Sequence, residues 1–243
     1  MTKSVAVYSM KGGVGKTTLA ANLAWASAVQ SGRRTLLWDL DAQGGAAFLL
    51  GEEPKHGKAA RIFERDTDPA KRIEPTRWHG LDLLAADLSL RHLDASLIEA
   101  DKPKRLRKLL KGLDSGYDRI ILDCPPGLGE ISDQIFRAVD LVVIPLEPSP
   151  MALRTLALVE EHLKDHHGGG PRLLPVFSMA DRRKRLHREL LEAQPDWPIV
   201  PQASAVERMA VEFAPVAEFA KRSPASLALL ALWDRTEKEL QST

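Results

Sequence analysis

The chain is poor in sulfur, in net charge and in long apolar runs. Its one cysteine, Cys124, cannot make an internal disulfide or build a cysteine-rich metal site alone. Cys124 reads as a small residue closing a strand rather than as a reactive thiol or a ligand shared across a dimer. Basic residues (34) nearly match acidic ones (33), for a formal net charge of +1. No overall positive field announces nucleic acid, so such a role must come from a local patch. No apolar run approaches the roughly 18 residues that span a bilayer. The first residues lack the basic, apolar, small-residue order of a signal peptide. A cytoplasmic chain without stable membrane association is expected. The first apolar run begins at Ser4, so a helix-turn-helix before it is not expected. Internal repeats and low-complexity tails are also missing.

Hydrophobic residues make up 44% of the 243, enough for a sizeable core. Short apolar runs at 4–9, 35–38, 81–84, 119–122, 141–144, 173–177 and 199–200 read as strands. Segments of helical character lie between them, the first from Thr18 to Gln30 with Gly32 as its stop. Continuous apolar strands fit a parallel sheet buried on both faces. Alternation with helices predicts α/β architecture: one doubly wound, mostly parallel sheet flanked by helices, in a single domain over 1–243. Residues 52–80 lack periodicity and read as a variable surface insertion, with one short helix near Ala59–Phe63.

The first run leads into Lys11-Gly12-Gly13-Val14-Gly15-Lys16-Thr17-Thr18, and a helix follows. Strand, glycine-rich turn and helix are the context of a phosphate-binding P-loop. Glycines let the backbone turn its N–H groups toward phosphate oxygens, and the helix adds its positive end. Lys16 is placed to reach the β- and γ-phosphates of ATP, Thr17 to put its hydroxyl on Mg²⁺, and Thr18 to add a phosphate contact. The general motif has glycine where this chain has Met10, and Lys11 is an additional lysine.

Two apolar runs end in carboxylates. Asp39 and Asp41 follow Thr35-Leu36-Leu37-Trp38, and an extended chain would aim both the same way. Asp123 ends Arg119-Ile120-Ile121-Leu122, as the Mg²⁺-associated aspartate of a Walker B strand does, and Cys124-Pro125-Pro126-Gly127 follows.

Together these segments resemble the ParA/MinD group of P-loop ATPases, from Val5 to about Leu240, and ParA-type partition proteins most of all. Leu141 to Pro150 and Met151 to Arg154 resemble the family at the matching distance, although Ala42 stands where proline is usual. The resemblance implies that Lys11 reaches the nucleotide of a second subunit, so that ATP holds a homodimer together. It further implies that Asp41 positions the attacking water and that Asp39 supports the Mg²⁺ shell. Pro201 corresponds to the proline beside the nucleotide, but Gln202 follows where the family often has arginine.

ParA proteins bind DNA without sequence preference. Arg182, Arg183, Lys184, Arg185 and Arg188 form the strongest basic cluster, and Arg208 and Lys221-Arg222 are weaker candidates. A second basic run, from Lys102 to Lys111, shares its segment with a leucine stripe and reads as an amphipathic surface helix. The expected protein is an ATP hydrolase, slow until a ParB-like partner stimulates it. It would be nucleoid-associated and carry a chromosome, plasmid or protein cluster. A MinD-like membrane switch is the alternative, but residues 232–240 balance acidic and basic groups and do not resemble a basic membrane helix. The nitrogenase iron protein needs two cysteines per subunit. A synthetase acting on cobyrinic acid is expected to need a longer chain. A nucleotide-gated scaffold without hydrolysis is disfavoured by Asp41 and Lys16.

Overall fold

A computed structural model describes residues 1–53, 57–64, 67–99 and 103–242. Eight strands form one sheet: β1 (Lys3–Val7), β2 (Thr35–Asp39), β3 (Glu74–Pro75), β4 (Leu81–Leu84), β5 (Arg119–Asp123), β6 (Leu141–Leu146), β7 (Arg172–Ala180) and β8 (Ile199–Pro201). Their order is β3-β4-β2-β5-β1-β6-β7-β8. All neighbours are parallel except the β3–β4 edge pair.

The apolar runs serve two cores at once. In β1, Val5 and Val7 face one core, while Ala6, and Tyr8 just beyond the strand, face the other. In β5, Ile121 separates from Ile120 and Leu122 in the same way. Side chains alternate across a strand, so a strand covered on both faces must be apolar throughout. Helix α1 (Lys16–Trp25), extended by a wider turn at Ala26–Gln30, packs on one face with α2 (Gly45–Leu50). On the other lie α3 (Arg61–Glu64), α4 (Leu93–Glu99), α5 (Arg105–Leu113), α6 (Glu130–Ala138) and α7 (Pro150–His167). Helix α8 (Arg185–Ala193) follows β7. Three short helices, α9 (Ser204–Glu207), α10 (Met209–Glu212) and α11 (Val216–Phe219), lead to α12 (Pro224–Gln241), which packs beside α1.

Several expectations shift. The described part of 52–80 is not wholly superficial. Ile62 and Phe63 are buried, and the Phe63 ring lies 6.0 Å from that of Trp38. Four apolar residues in one short turn are too few to show a period. The same segment also supplies the edge strand β3, which no alternation announced. Residues 54–56 and 65–66 lie outside the described residues, as does Lys102 of the second basic run. The leucine stripe of that run behaves as expected, for α5 buries Leu106, Leu109, Leu110 and Leu113, but Arg105 is also buried and donates to the Ile62 carbonyl at 2.7 Å. Cys124 is fully buried, and burial and then the charge of Asp123 push its thiol pKa up. It is therefore a packed strand-end residue.

Candidate functional site: the phosphate loop and its acidic floor

The chain runs from β1 to β2 on one side of the sheet, and from β5 across to β6 on the other. In open α/β sheets, ligands sit beyond the carboxyl ends of the strands where the order reverses. The Lys11–Thr18 loop occupies that position. Gly15, at φ 88°, is the left-handed residue that starts α1. With no side-chain cap on α1, the first-turn N–H groups lie open to the loop. A Cβ at Gly12 or Gly13 would meet nothing, so the space over the loop is free. Lys16 is 7% exposed and donates from Nζ to the Lys11 carbonyl at 3.3 Å, whereas the Lys11 side chain is exposed. Thr17 and Thr18 are half-buried at the helix start. Gly45, the first residue of α2, lets that helix approach Thr17, since a Cβ there would come within 3.1 Å of the threonine methyl.

Met10, which breaks the general motif, contributes through its backbone. Its carbonyl accepts from Gly127 N at 3.1 Å, while Tyr8 Oη donates to Gly127 O at 2.8 Å. These two bonds tie the Pro125-Pro126-Gly127 turn to the phosphate loop.

The two strand-end aspartates differ sharply. Asp39 is fully buried, and its oxygens accept from Asp41 N at 2.9 Å and Ala46 N at 3.0 Å. Burial raises its pKa to about 7, the two backbone bonds pulling back and the charge of Asp41 adding to the rise. Asp123 is equally buried, but neither of its oxygens has a hydrogen bond of good geometry, although the Thr17 hydroxyl lies near. Burial first, and then the charge of Asp39, drive its pKa well above the usual carboxylate range. A buried carboxylate without partners calls for a cation or its bound water. Asp123, Thr17 and Lys16 are thus a donor set that fits Mg²⁺ and phosphate oxygens.

The expectation that Asp39 and Asp41 point the same way is not met. β2 stops at Asp39, and the chain turns there around the Asp39 carboxylate. Asp41 is half-exposed, accepts from Gln43 N at 3.0 Å, and lines a groove of ≈ 350 Å³ with Leu88, Arg91, Pro125 and Pro126. Asp39 therefore shapes the loop, and Asp41 is the aspartate with access to solvent.

Pro201 comes to the phosphate loop through a slot of ≈ 70 Å³ that Gly15, Thr18, Ser178, Met179 and Gln202 also line. Ser178 and Met179 carry no motif that would mark them in the sequence. β7 runs on to Ala180, and Met179 adopts φ 56°, which no local pattern signals. The basic cluster starts two residues later. Arg182, Arg183, Lys184, Arg185 and Arg188 are all exposed. Arg183 pairs with Asp181 at 2.9 Å, Arg185 with Glu189 at 2.7 Å, and Arg188 donates to the Arg182 carbonyl at 3.0 Å. Among the described residues, Arg182 and Lys184 have no ion pair. Arg208 stands apart, paired with Glu212 and lying over the Phe219 ring.

A family model described as an AAA domain (AAA_31) matches residues 2–167. The chain is 36% identical over 173 residues to the sporulation initiation inhibitor protein Soj of Bacillus subtilis, covering 67% of this chain and 68% of Soj. It is 38% identical over 156 residues to the chromosome partitioning protein ParA of Myxococcus xanthus, covering 63% and 55% of the two chains. Among solved structures, cobyrinic acid a,c-diamide synthase from Mycobacterium smegmatis, with bound ATP analog and magnesium, superposes with a TM-score of 0.82 at 26% identity. That match covers 100% of this chain and 96% of the synthase, so the expectation that such a synthetase needs a longer chain does not hold. No helix among the described residues is long and apolar enough to cross a membrane. The phosphate loop, the aspartates at the strand ends and these likenesses place the chain in the ParA/MinD family of P-loop ATPases.

Proposed function

We propose that this ParA-like ATPase binds ATP with Mg²⁺, dimerises on it, and holds DNA without sequence preference until hydrolysis releases it. One observation carries the reading: Lys16 and Lys11 belong to one loop but face different surroundings. Lys16 is buried beside the open helix N-terminus, while Lys11 projects into solvent. A lysine that makes no use of its own loop is available to a second subunit.

In this reading Lys16, Thr18 and the N–H groups of residues 12–17 hold the phosphates, and Thr17, Asp123 and Asp39 hold Mg²⁺ or its water. Mg²⁺, when bound, neutralises the β- and γ-phosphate oxygens. Asp41 orients the water that attacks the γ-phosphorus, and the bond to the β,γ-bridging oxygen breaks to give ADP and phosphate. Pro201 lies against the base. The Arg182–Arg188 cluster meets the DNA backbone, with Arg208 as a separate contact. A ParB-like protein is the proposed activator, and the nucleoid the proposed location.

The test is co-sedimentation with non-specific DNA, paired with size analysis. Retention and dimer should both require ATP and Mg²⁺, and Lys11→Ala should lose the dimer while keeping nucleotide. Dimerisation indifferent to ATP sinks the reading. Liposome binding stronger than DNA binding would favour a MinD-like membrane switch instead. The likeness to the mycobacterial synthase supports a second reading, ATP-driven amide formation. ADP release that requires a cobyrinic acid and an amide donor would establish it.

A further inference from the structure

Away from the phosphate loop, α6 and the end of α7 bring three metal-binding side chains to one point. His162 Nε2 lies 2.6 Å, and His167 Nε2 3.0 Å, from Asp133 Oδ1. The three donor atoms all lie within 4.8 Å of one another. The His167 side chain is 2% exposed, while those of His162 and Asp133 are 18% and 24% exposed. The cluster is thus held by packing yet partly open at His162 and Asp133, and a cavity of ≈ 570 Å³ lined by His166 and His167 lies alongside it.

We propose that Asp133, His162 and His167 form a Zn²⁺ site separate from the nucleotide site. Two imidazole nitrogens and one carboxylate oxygen suit Zn²⁺, whereas Mg²⁺ favours oxygen donors. Zn–N and Zn–O bonds of about 2.0–2.2 Å in a tetrahedron put ligand atoms about 3.3 Å apart. To admit the ion, the Asp133–His167 contact needs to widen by about 0.3 Å and the Asp133–His162 contact by about 0.7 Å. Without the ion, both rings crowd one carboxylate oxygen. With it, each Nε2 gives up any proton to solvent to bind the ion, and the ring's one N–H sits on Nδ1. The site then carries the two charges of the ion less one from Asp133. Three protein ligands leave a fourth position for water or for His166, whose ring centroid is 4.7 Å from that of His162.

The ion would cross-link the first turn of α6 to the last two turns of α7. That linkage bears on the nucleotide end of the molecule. Phe136 of α6 packs edge-on against both His167, at 5.8 Å, and Tyr8, at 5.0 Å. Tyr8 in turn holds the Gly127 carbonyl. Zn²⁺ would brace the turn that borders the phosphate loop.

The experiment is Co²⁺ titration of the full chain, stripped with chelator and supplied with excess Mg²⁺ to occupy the nucleotide site. We expect one Co²⁺ per chain, with the visible absorption of four-coordinate cobalt, bleached by Zn²⁺. Asp133→Asn and His162→Gln should each weaken binding at least tenfold, and Zn²⁺ should raise the melting temperature of the native chain but not of the variants. His162→Gln carries the test if Asp133→Asn fails to fold, since His162 is the more exposed of the two histidines. Absence of the cobalt bands, or equal affinity in the native chain and His162→Gln, overturns the proposal.

Discussion

The floor of the phosphate loop and the arginine cluster on its rim lie at the same end of the sheet but follow opposite electrostatic rules. On the floor, Asp39 and Asp123 are fully buried, and Asp123 has no hydrogen bond of good geometry, only the Thr17 hydroxyl nearby. On the rim, Arg182, Arg183, Lys184, Arg185 and Arg188 stand in water, and the charges of Arg183 and Arg185 are each met by a neighbouring carboxylate. Ionising a buried carboxylate without a partner is costly, so the floor stores an unmet demand that a cation can satisfy. Exposed ion pairs add little to stability, so the rim is free to exchange partners. The fold thus keeps its reactive site under tension and its contact surface relaxed.

The sharpest break in this contrast should come from Lys16→Ala. Removing the buried counter-charge should weaken ATP binding by about 2–5 kcal/mol, as isothermal titration calorimetry would record. Unchanged affinity would mean that the floor does not set nucleotide binding. Next comes Asp123→Asn, measured without nucleotide at pH 8. It should stabilise the chain by about 1–3 kcal/mol in denaturant unfolding, while Mg²⁺-dependent ATP turnover falls at least tenfold. A drop in stability would show that the carboxylate has a partner after all.

A smaller effect is the pH slope of the nucleotide-free, chelated chain. Asp39 keeps its proton up to about pH 7 when folded, but loses it near its ordinary value of 3.8 when unfolded. The folded state therefore binds more protons between these values. Stability from this group falls as pH rises from about 4 and levels off above about 7. Asp39→Asn should flatten that slope in unfolding midpoints taken across the range.

The mildest effects belong to the rim. Arg182→Ala with Lys184→Ala should lower ATP-dependent DNA retention and reduce its salt slope by about 1 for each phosphate no longer neutralised. The thermal midpoint should not move. Arg183→Ala with Arg185→Ala should cost less, because those side chains are already engaged. The reverse ranking would put the contact surface on the paired arginines.

Legibility followed local chemistry. β2, β5 and β6 could be read because strands covered on both faces must be apolar along their length. β3 escaped because it is two residues of edge; the short helix at Ile62 and Phe63 was expected, but not its burial, because the segment is too short to show a period. At the site, the phosphate loop was legible as a run of neighbours. The aspartates were legible as residues but not as a pair, since β2 ends where an extended chain was assumed to continue. The Asp133–His162–His167 cluster left no sequence signal, because its members are 29 and 34 positions apart.

The phosphate loop, the apolar strands and the identity of the charged residues are written in the chain itself, because turns, strands and helix starts obey short-range rules. Which of those charges are satisfied is a matter of three-dimensional packing. Asp39 and Asp123 end apolar runs of the same kind, yet one is held by two backbone N–H groups and the other by none. Likewise Arg119, which opens β5, finds its partner Glu237 at 2.6 Å on the last helix of the chain. Whether a carboxylate shapes a loop or waits for a cation depends on what packs over it, and that is set by segments far away along the chain.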